Sequence, residues 1–489
     1  MDQSTLFKRI TNIKNGNNGL IVPIGDITEI WTEDELKNIV QVFLTDTEIK
    51  FAQKHLLRTI SLLVYVKAPG VGKIIHDWIK SEECWDQKLH KAERDNLNIS
   101  LSEGELNQFF DALKCFTAPV LTEGEDMTLE GAQKMPLIGS EEVLGTGMNG
   151  VVTGHKIPRG HLKDKNGPNP LEISVAKKTF RNLTDDQQKQ EINILKRLRG
   201  LLLNTNIQIC SCISMITENS EVHSLSLRAT SSLEDKLQEL QTGGFNSAYL
   251  MDSIKQIKGV VSAVKFLHNS QSNGPNTCYC HMDIKPRNIL VFGSGSASTV
   301  GEWKLIDFGI TTISTKMSRK TNGGAREEGV GPHTTITLGI SAKSMVSRYS
   351  APEVKLSLKK KQSGEAGKYM GRGSDIWSLA CVFAEVLAAN LGQLGDLRGV
   401  ADLQGDPMNL FYEEGKVAYI FPKPRRHNSF KKWLIELEER GKSDPTLRIC
   451  HDLIDKMTHI KRIRRLKSEQ VLNRMEESSE LSESVPANT

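Results

Sequence analysis

Between His281 and Phe292 the chain reads HMDIKPRNILVF. An aspartate, a lysine two places on, a proline and an asparagine stand in one short stretch, directly before four apolar residues. Proline fixes its own φ and disfavours helix at the residue before it, so the polar trio must sit on a tight turn. The run Ile289 to Phe292 is short and rich in strand formers, which reads as a buried strand anchoring that turn. On such a loop Asp283 can accept a hydroxyl proton, Lys285 can neutralise a moving anion and Asn288 can ligate a metal. Few folds bring these three roles together at this spacing, so the rest of the chain is read against it.

Upstream, VLGTGMNGVV sets Gly145, Gly147 and Gly150 in a G-x-G-x-x-G-x-V arrangement ending at Val152. Glycines let backbone amides approach phosphate closely. A dinucleotide site runs strand, glycines, helix, whereas here the glycines lead into a strand, GVVTGHKI. Next comes EISVAKKTF, a short strand whose Lys177 follows Val-Ala; it is read as the V-A-x-K pattern that holds the α- and β-phosphates. A solvated strand lysine is the plainer alternative. A helix starting near Thr184 places Glu191 where it can pair with Lys177, with Ile192, Leu195 and Leu198 at helical spacing behind it. Downstream, WKLIDFGI puts Asp307 where it can chelate magnesium, SRYSAPEV supplies Ala351-Pro352-Glu353, and SDIWSLACVFAEVL reads as a buried helix.

Taken in this order, the motifs from roughly Leu137 to Met475 resemble a eukaryotic-type Ser/Thr protein kinase catalytic domain, divergent and fungal-like, with H-M-D in place of H-R-D. The resemblance implies an α+β, two-lobed fold, with a small β-rich lobe and a larger helical one, preceded by a helical N-terminal region. It implies ATP and Mg2+ as cofactors and transfer of the γ-phosphoryl group to Ser or Thr of protein substrates. Carried over residue by residue, it makes Asp283, Lys285 and Asn288 catalytic, and Asn288 and Asp307 the metal ligands. The ATP site takes Gly145, Gly147, Gly150, Val152, Ala176, Lys177, Glu191 and Leu290, with a hinge near Ser226 to Ala229. His281, Phe308, Gly309, Glu353, Asp375 and Arg465 become structural, Arg465 pairing with Glu353.

Four positions depart from the family pattern. Met282 replaces the usual arginine, Val346 stands where threonine is usual, Ala380 replaces a glycine, and the span from Asp307 to Glu353 is long. In regulated kinases the missing arginine reads a phosphate on the activation segment, so that switch is expected to be absent here. A pseudokinase scaffold, binding nucleotide and signalling by interaction, is the alternative; it would most naturally have lost Lys177, Asp283, Asn288 or Asp307. A small-molecule kinase is the third reading, disfavoured by A-P-E and the segment before it.

Residues 1–136 read as a separate helical region, regulatory or interaction-forming, through which a regulatory partner could act. Thr32 with Glu35 and Ser102 with Glu105 make capping boxes, and IKFAQKHLLRTISLLVYV reads as a buried helix. Residues 137–475 form the kinase-like domain, and 476–489 read as a disordered acidic tail. The net charge of +4 on 489 residues calls for neither a nucleic-acid nor a membrane partner. The start lacks a signal-peptide core and no apolar run is bilayer-length, so the cytoplasm or nucleus is expected. Cys210 with Cys212 and Cys278 with Cys280 could begin a zinc site, yet nothing completes a tetrahedron and small buried hydrophobes are the better reading. APGVGKI lacks the glycine and hydroxyl of a phosphate loop and reads as a turn, and the KKK and KPRR runs read as solvated faces.

Overall fold

A computed structural model describes residues 3–16, 21–40, 42–81, 86–94, 101–147, 150–180, 185–202, 205, 207–270, 277–293, 299–308, 312–315, 347–362, 371–403, 411–414 and 424–483. The chain divides into two compact units, one of Met1–Gln188 with Ser211–Arg228 and one of Lys189–Cys210 with Ala229–Thr489. The fold is α+β: the first unit holds a six-stranded sheet behind a helical N-terminal segment, and the second is mostly helical.

In the first unit the front helices close an apolar core around Leu36, Ile60, Leu63 and Phe109, with Trp31 donating its indole N–H to Ser61 Oγ at 2.7 Å. Both expected capping boxes are present. The helix after Thr32 ends at Val40, however, and a new one, Asp46–His55, starts from its own box of Thr45 and Glu48. The expected single helix over 49–66 is likewise broken at Leu56. Asp86 accepts from the backbone N–H groups of Arg58 and Thr59 and so satisfies the start of the helix Leu57–Tyr65. APGVGKI turns at Gly70 and enters the helix Val71–Ser81.

The sheet runs, edge to edge, Asp126–Thr128, Cys212–Glu218, Glu221–Leu227, Ile173–Phe180, Gly150–Ile157, Ile138–Gly147. All neighbours are antiparallel except the first pair. Gly150, at φ +140°, opens the second strand of the glycine hairpin in a conformation that a side chain would strain. Strands begin at Leu121, inside the stretch 1–136 that reads as helical.

The front segment is joined to the strand region through His161, which is 1% exposed. Its Nδ1–H donates to the Pro119 carbonyl at 2.8 Å and its Nε2 accepts from the Ile24 amide at 3.0 Å. That pattern requires a neutral ring. Burial, with the nearby Arg58 charge, pushes its pKa down to about 3. The Gly25 amide also donates to the Arg159 carbonyl, and Ile21, Ala118 and Ile138 pack together at the same junction.

In the second unit, the helix Arg372–Asn390 is buried on all sides and carries Trp377 and Phe383 into the core. The helix Ser247–Asn269 packs along it, and the strands Ile289–Phe292 and Glu302–Leu305 pair antiparallel beside them. The last helix runs from Ser468 to Glu483, so the acidic stretch from 476 begins as a helical extension anchored by Val471 and Met475. Among the described residues no helix is long and apolar enough to cross a membrane.

Candidate active site

The HMDIKPRN loop is fixed from below by Asp375, which is 1% exposed near the start of the long buried helix. Its carboxylate accepts the backbone N–H groups of His281 (2.9 Å) and Met282 (2.8 Å) and the His268 Nε2–H (2.9 Å). These bonds hold Met282 at φ +69°, a conformation costing about 1–2 kcal/mol in a residue with a side chain. His281 Nδ1 accepts from the Asp283 amide, and its Nε2–H donates to the Ile306 carbonyl. One imidazole ring therefore ties the loop to the strand preceding Asp307. The Phe308 ring meets the His281 ring edge-on at 5.2 Å.

On this platform the polar trio converges. Lys285 Nζ donates to Asp283 Oδ2 at 2.7 Å. Asn288 Nδ2 donates to the same oxygen at 2.9 Å and to the Asp283 carbonyl at 2.8 Å. Asn288 uses its amide nitrogen in both bonds, which leaves Oδ1 as its hard donor atom. The Ile306 amide donates to the Asn288 carbonyl, setting Asp307 directly after Asn288's neighbour strand, with Asp307 itself at φ +64°. Burial raises the Asp283 carboxyl above its ordinary range, Lys285 opposes that rise, and Asp307 adds to it.

The sheet distributes its residues by strict alternation. Register pairs Gly145 with Val152, Val152 with Lys178, and Lys178 with Ser224; a second row pairs Gly154 with Ala176 and Ala176 with Ser226. Residues directly opposite share a face. One face therefore carries Val152, Ala176 and Lys178. The other carries Thr153, Val175, Lys177, Thr179 and Leu225, with Val175 and Leu225 fully buried in the apolar core and Thr179 bonded to His223. Lys177, the expected phosphate ligand, thus lies on the face opposite Ala176 and Val152, and its neighbour Lys178 lies with them. Arg228 closes the end of this row: it pairs with Glu142 at 2.6 Å, and a Cβ on Gly154 would meet its Nη1 at 2.8 Å.

Glu191 is buried on the helix Asp185–Leu202, whose apolar side is Ile194, Leu198 and Leu202. Leu290 is half-buried on its strand between Ser232 and Lys304. Gly309 and Val346 lie outside the described residues, as do Cys278's side chain and most of the segment between Asp307 and Glu353. Arg465 makes a two-pronged pair with Glu353, at 2.7 and 2.8 Å, and also donates to the Gly373 carbonyl. Its guanidinium lies 4.9 Å from the Trp377 ring centre. Tyr349 donates to Glu385 Oε2 at 3.0 Å; burial first, then the Glu385 charge, hold the phenol pKa well above its usual value, so it stays a donor. Among the described residues, His268, Cys280 and Asp375 form the one cluster of metal-ligand type, and Asp375 is already occupied by three N–H donors.

Residues 140–475 match the protein kinase domain family. Cyclin-dependent kinase 4 of Xenopus laevis is 26% identical over 263 residues, covering 52% of this chain and 67% of that protein. Cyclin-dependent kinase 4 of Mus musculus is 28% identical over 203 residues, 39% of this chain and 51% of the mouse protein. A probable cyclin-dependent kinase 8 of Dictyostelium discoideum is 26% identical over 234 residues, 46% and 49% of the two chains. This chain therefore spans about half the length of the mouse and Dictyostelium relatives.

Proposed function

We propose that this chain, which belongs to the protein kinase family, transfers the γ-phosphoryl group of ATP to serine or threonine hydroxyls of protein substrates. The convergence of Lys285 and Asn288 on one oxygen of Asp283 is the observation that carries this reading. Asp283 orients the acceptor hydroxyl and takes its proton; Lys285 neutralises the charge that builds on the phosphoryl oxygens. A lysine two places after the aspartate matches the Ser/Thr-directed pattern. Asn288 Oδ1 and the Asp307 carboxylate are hard oxygens of the kind magnesium takes, and they would hold it here. Bound there, the ion would supply positive charge against the phosphates. On the sheet, Lys178 rather than Lys177 is the residue we assign to the α- and β-phosphates, with Val152 and Ala176 lining the adenine side. Incubation of the full chain with labelled ATP and a generic protein substrate tests the reading. Label on serine or threonine supports it, and no label above an Asp283→Asn control would sink it.

Ionised Asp283 is the working form, and burial has raised its pKa while Lys285 pulls it down. Turnover should therefore fall as pH drops through that raised value. Lys285→Met removes the opposing charge, so the acid limb of its pH–rate profile is expected at higher pH than in the wild type. A limb that stays put or moves down would detach Lys285 from Asp283.

Met282 is 7% exposed and packed within the helical unit's apolar core. It offers no cation to a phosphate on the activation segment. Phosphatase treatment is expected to leave the turnover rate within about twofold, because only a population shift of the ordered segment is at stake. A tenfold or larger loss, restored by rephosphorylation between Thr311 and Ser347, would assign the arginine's work to another basic residue. The relatives are named for dependence on a cyclin; here the front segment, joined to the sheet region at His161, is the element we assign to control.

A further inference from the structure

The strands Gly150–Ile157 and Ile173–Phe180 pair along their whole length, and between them they carry Gly150, Val152, Ala176 and Lys178. The chain that joins them, residues 158–172, does not turn back directly. It folds into a short hairpin of its own, Leu162–Asp164 with Gly167–Pro168. The first strand of that hairpin pairs in parallel with Leu121–Thr122, at the end of the front segment. Leu121 donates its amide to the His161 carbonyl and Glu123 to the Lys163 carbonyl, each at 2.9 Å.

The beginning of the front segment reaches the same place. Its Gly25 amide donates to the Arg159 carbonyl at 3.1 Å, and the two backbones cross with no room for a side chain between them. A Cβ on Gly25 would meet Arg159 Cβ at 2.7 Å, and one on Gly160, at φ +76°, would meet the Gly25 nitrogen at 3.0 Å. Glycine is needed on both sides of such a crossing. Arg159 also pairs with Glu29 and lies 3.7 Å from Asp26. Within the front segment the Val22 amide donates to the Cys115 carbonyl at 2.7 Å, so its two ends are held together where they meet the connection. One side chain joins all three pieces: His161 belongs to the connection, its Nδ1–H serves Pro119 and its Nε2 serves Ile24. A lysine there would have donors only, and an apolar side chain would orphan a buried amide and a buried carbonyl. The plainer alternative is a buried histidine that only completes the packing. Its position argues for more, because the segment it pins is the link between the two strands of the nucleotide site.

Resting on the kinase reading above and its nucleotide site, we propose that His161 is a positioning residue for that site. It locks the connection between the glycine-hairpin strand and the Lys178 strand onto the front segment, so that the seated front segment and bound ATP favour one another. His161 itself touches no nucleotide. Lys178 lies five residues from Ile173, where the pinned connection enters the strand, so about 17 Å of paired strand separates the tie from the phosphate site. The coupling is carried by the strand pair, a hydrogen-bonded element whose twist and register move together. With the tie seated, Val152 and Lys178 are presented in one arrangement. With it released, ATP has to select that arrangement from several, and its apparent affinity falls by the same fraction.

The test titrates the full chain with fluorescent trinitrophenyl-ATP, which needs no phosphate transfer; kcat and both KM values are measured separately. His161→Phe keeps a ring and loses both bonds. It should weaken nucleotide binding and raise the KM for ATP about tenfold, with kcat and the KM for protein substrate within about twofold of wild type. A merely structural loss would do the opposite, lowering kcat with the folded fraction and leaving the KM for ATP alone. His161→Gln, whose amide again offers one acceptor and one donor, should return that KM to within about threefold of wild type. Because coupling is reciprocal, saturating ATP should slow hydrogen exchange at the Ile24 and Gly25 amides of the wild type. If His161→Phe does not fold by circular dichroism, Gly25→Ala takes its place, wedging the crossing from the front side with the same KM effect at smaller size. A folded variant that binds nucleotide within about twofold of wild type, or exchange at those amides that ATP leaves unchanged, would overturn the assignment. A wild type that binds nucleotide but transfers no phosphate would sink the kinase reading and leave this one to the titration. A wild type that binds no nucleotide would sink both.

Discussion

Lys178→Met is expected to lower phosphate transfer by about a hundredfold or more, whereas Lys177→Met should stay within about threefold of wild type. The two lysines are adjacent and on one strand, so composition cannot separate them. Alternation does. Lys178 is two residues from Ala176 and directly opposite Val152, which is itself opposite Gly145 of the glycine hairpin. A phosphate held by that hairpin is reached from this face. Lys177 stands between Val175 and Thr179 on the face that feeds the sheet's apolar core. Methionine keeps the stem at either position, so melting temperatures should change little for both variants. Lys178→Arg should also fail, because a planar fork places its charge differently from a compact ammonium. Steady-state kinetics on the pair decides the matter: a dead Lys177→Met beside an active Lys178→Met would return the phosphate role to Lys177 and put the register in doubt.

V-A-x-K, counted strictly, ends on Lys178 with Lys177 as the free position, so the motif and the strand register favour the same lysine for the role we propose. The HMDIKPRN loop was legible because its three roles are local, lying within a few residues. Helix breaks in the front segment were half legible. Thr45 with Glu48 is a capping box that could have been read, but Asp86 capping the helix at Leu57 is a contact across 27 residues that no local pattern announces. Arg398, which pairs with both Glu234 and Glu385, is the extreme case. Glu234, Tyr349, Glu385 and Arg398 each look like ordinary helix or loop residues in sequence, and only tertiary packing makes them one object. His161 was equally silent, because its role depends on a carbonyl and an amide from two distant segments.

Asp283→Asn is expected to cut the transfer rate by about a thousandfold while leaving ATP binding nearly intact, and Asp307→Asn to lose transfer through loss of magnesium-dependent ATP binding. In the first variant the shape survives. An asparagine oxygen in the place of Oδ2 still accepts from Lys285 and Asn288, so the loop keeps its geometry and loses only its basicity. Stability should even improve. The folded-state pKa of Asp283 lies above its unfolded value, so its stabilising contribution is present below the unfolded pKa and is lost as pH rises through the folded one. At neutral pH the ionised side chain is a cost, and the neutral amide removes it; the melting temperature should hold or rise. Loss of turnover with no loss of stability is the mark of a group kept for chemistry. Asp307→Asn instead removes a hard anionic ligand. The thermal shift that ATP produces should then lose its dependence on magnesium, since a ligand stabilises only in proportion to its binding. Thermal melts with ATP, with and without magnesium, beside single-turnover transfer, separate the two. If both variants lost the nucleotide-induced shift equally, Asp283 would belong to the binding site and the division between a base and a metal ligand would fail.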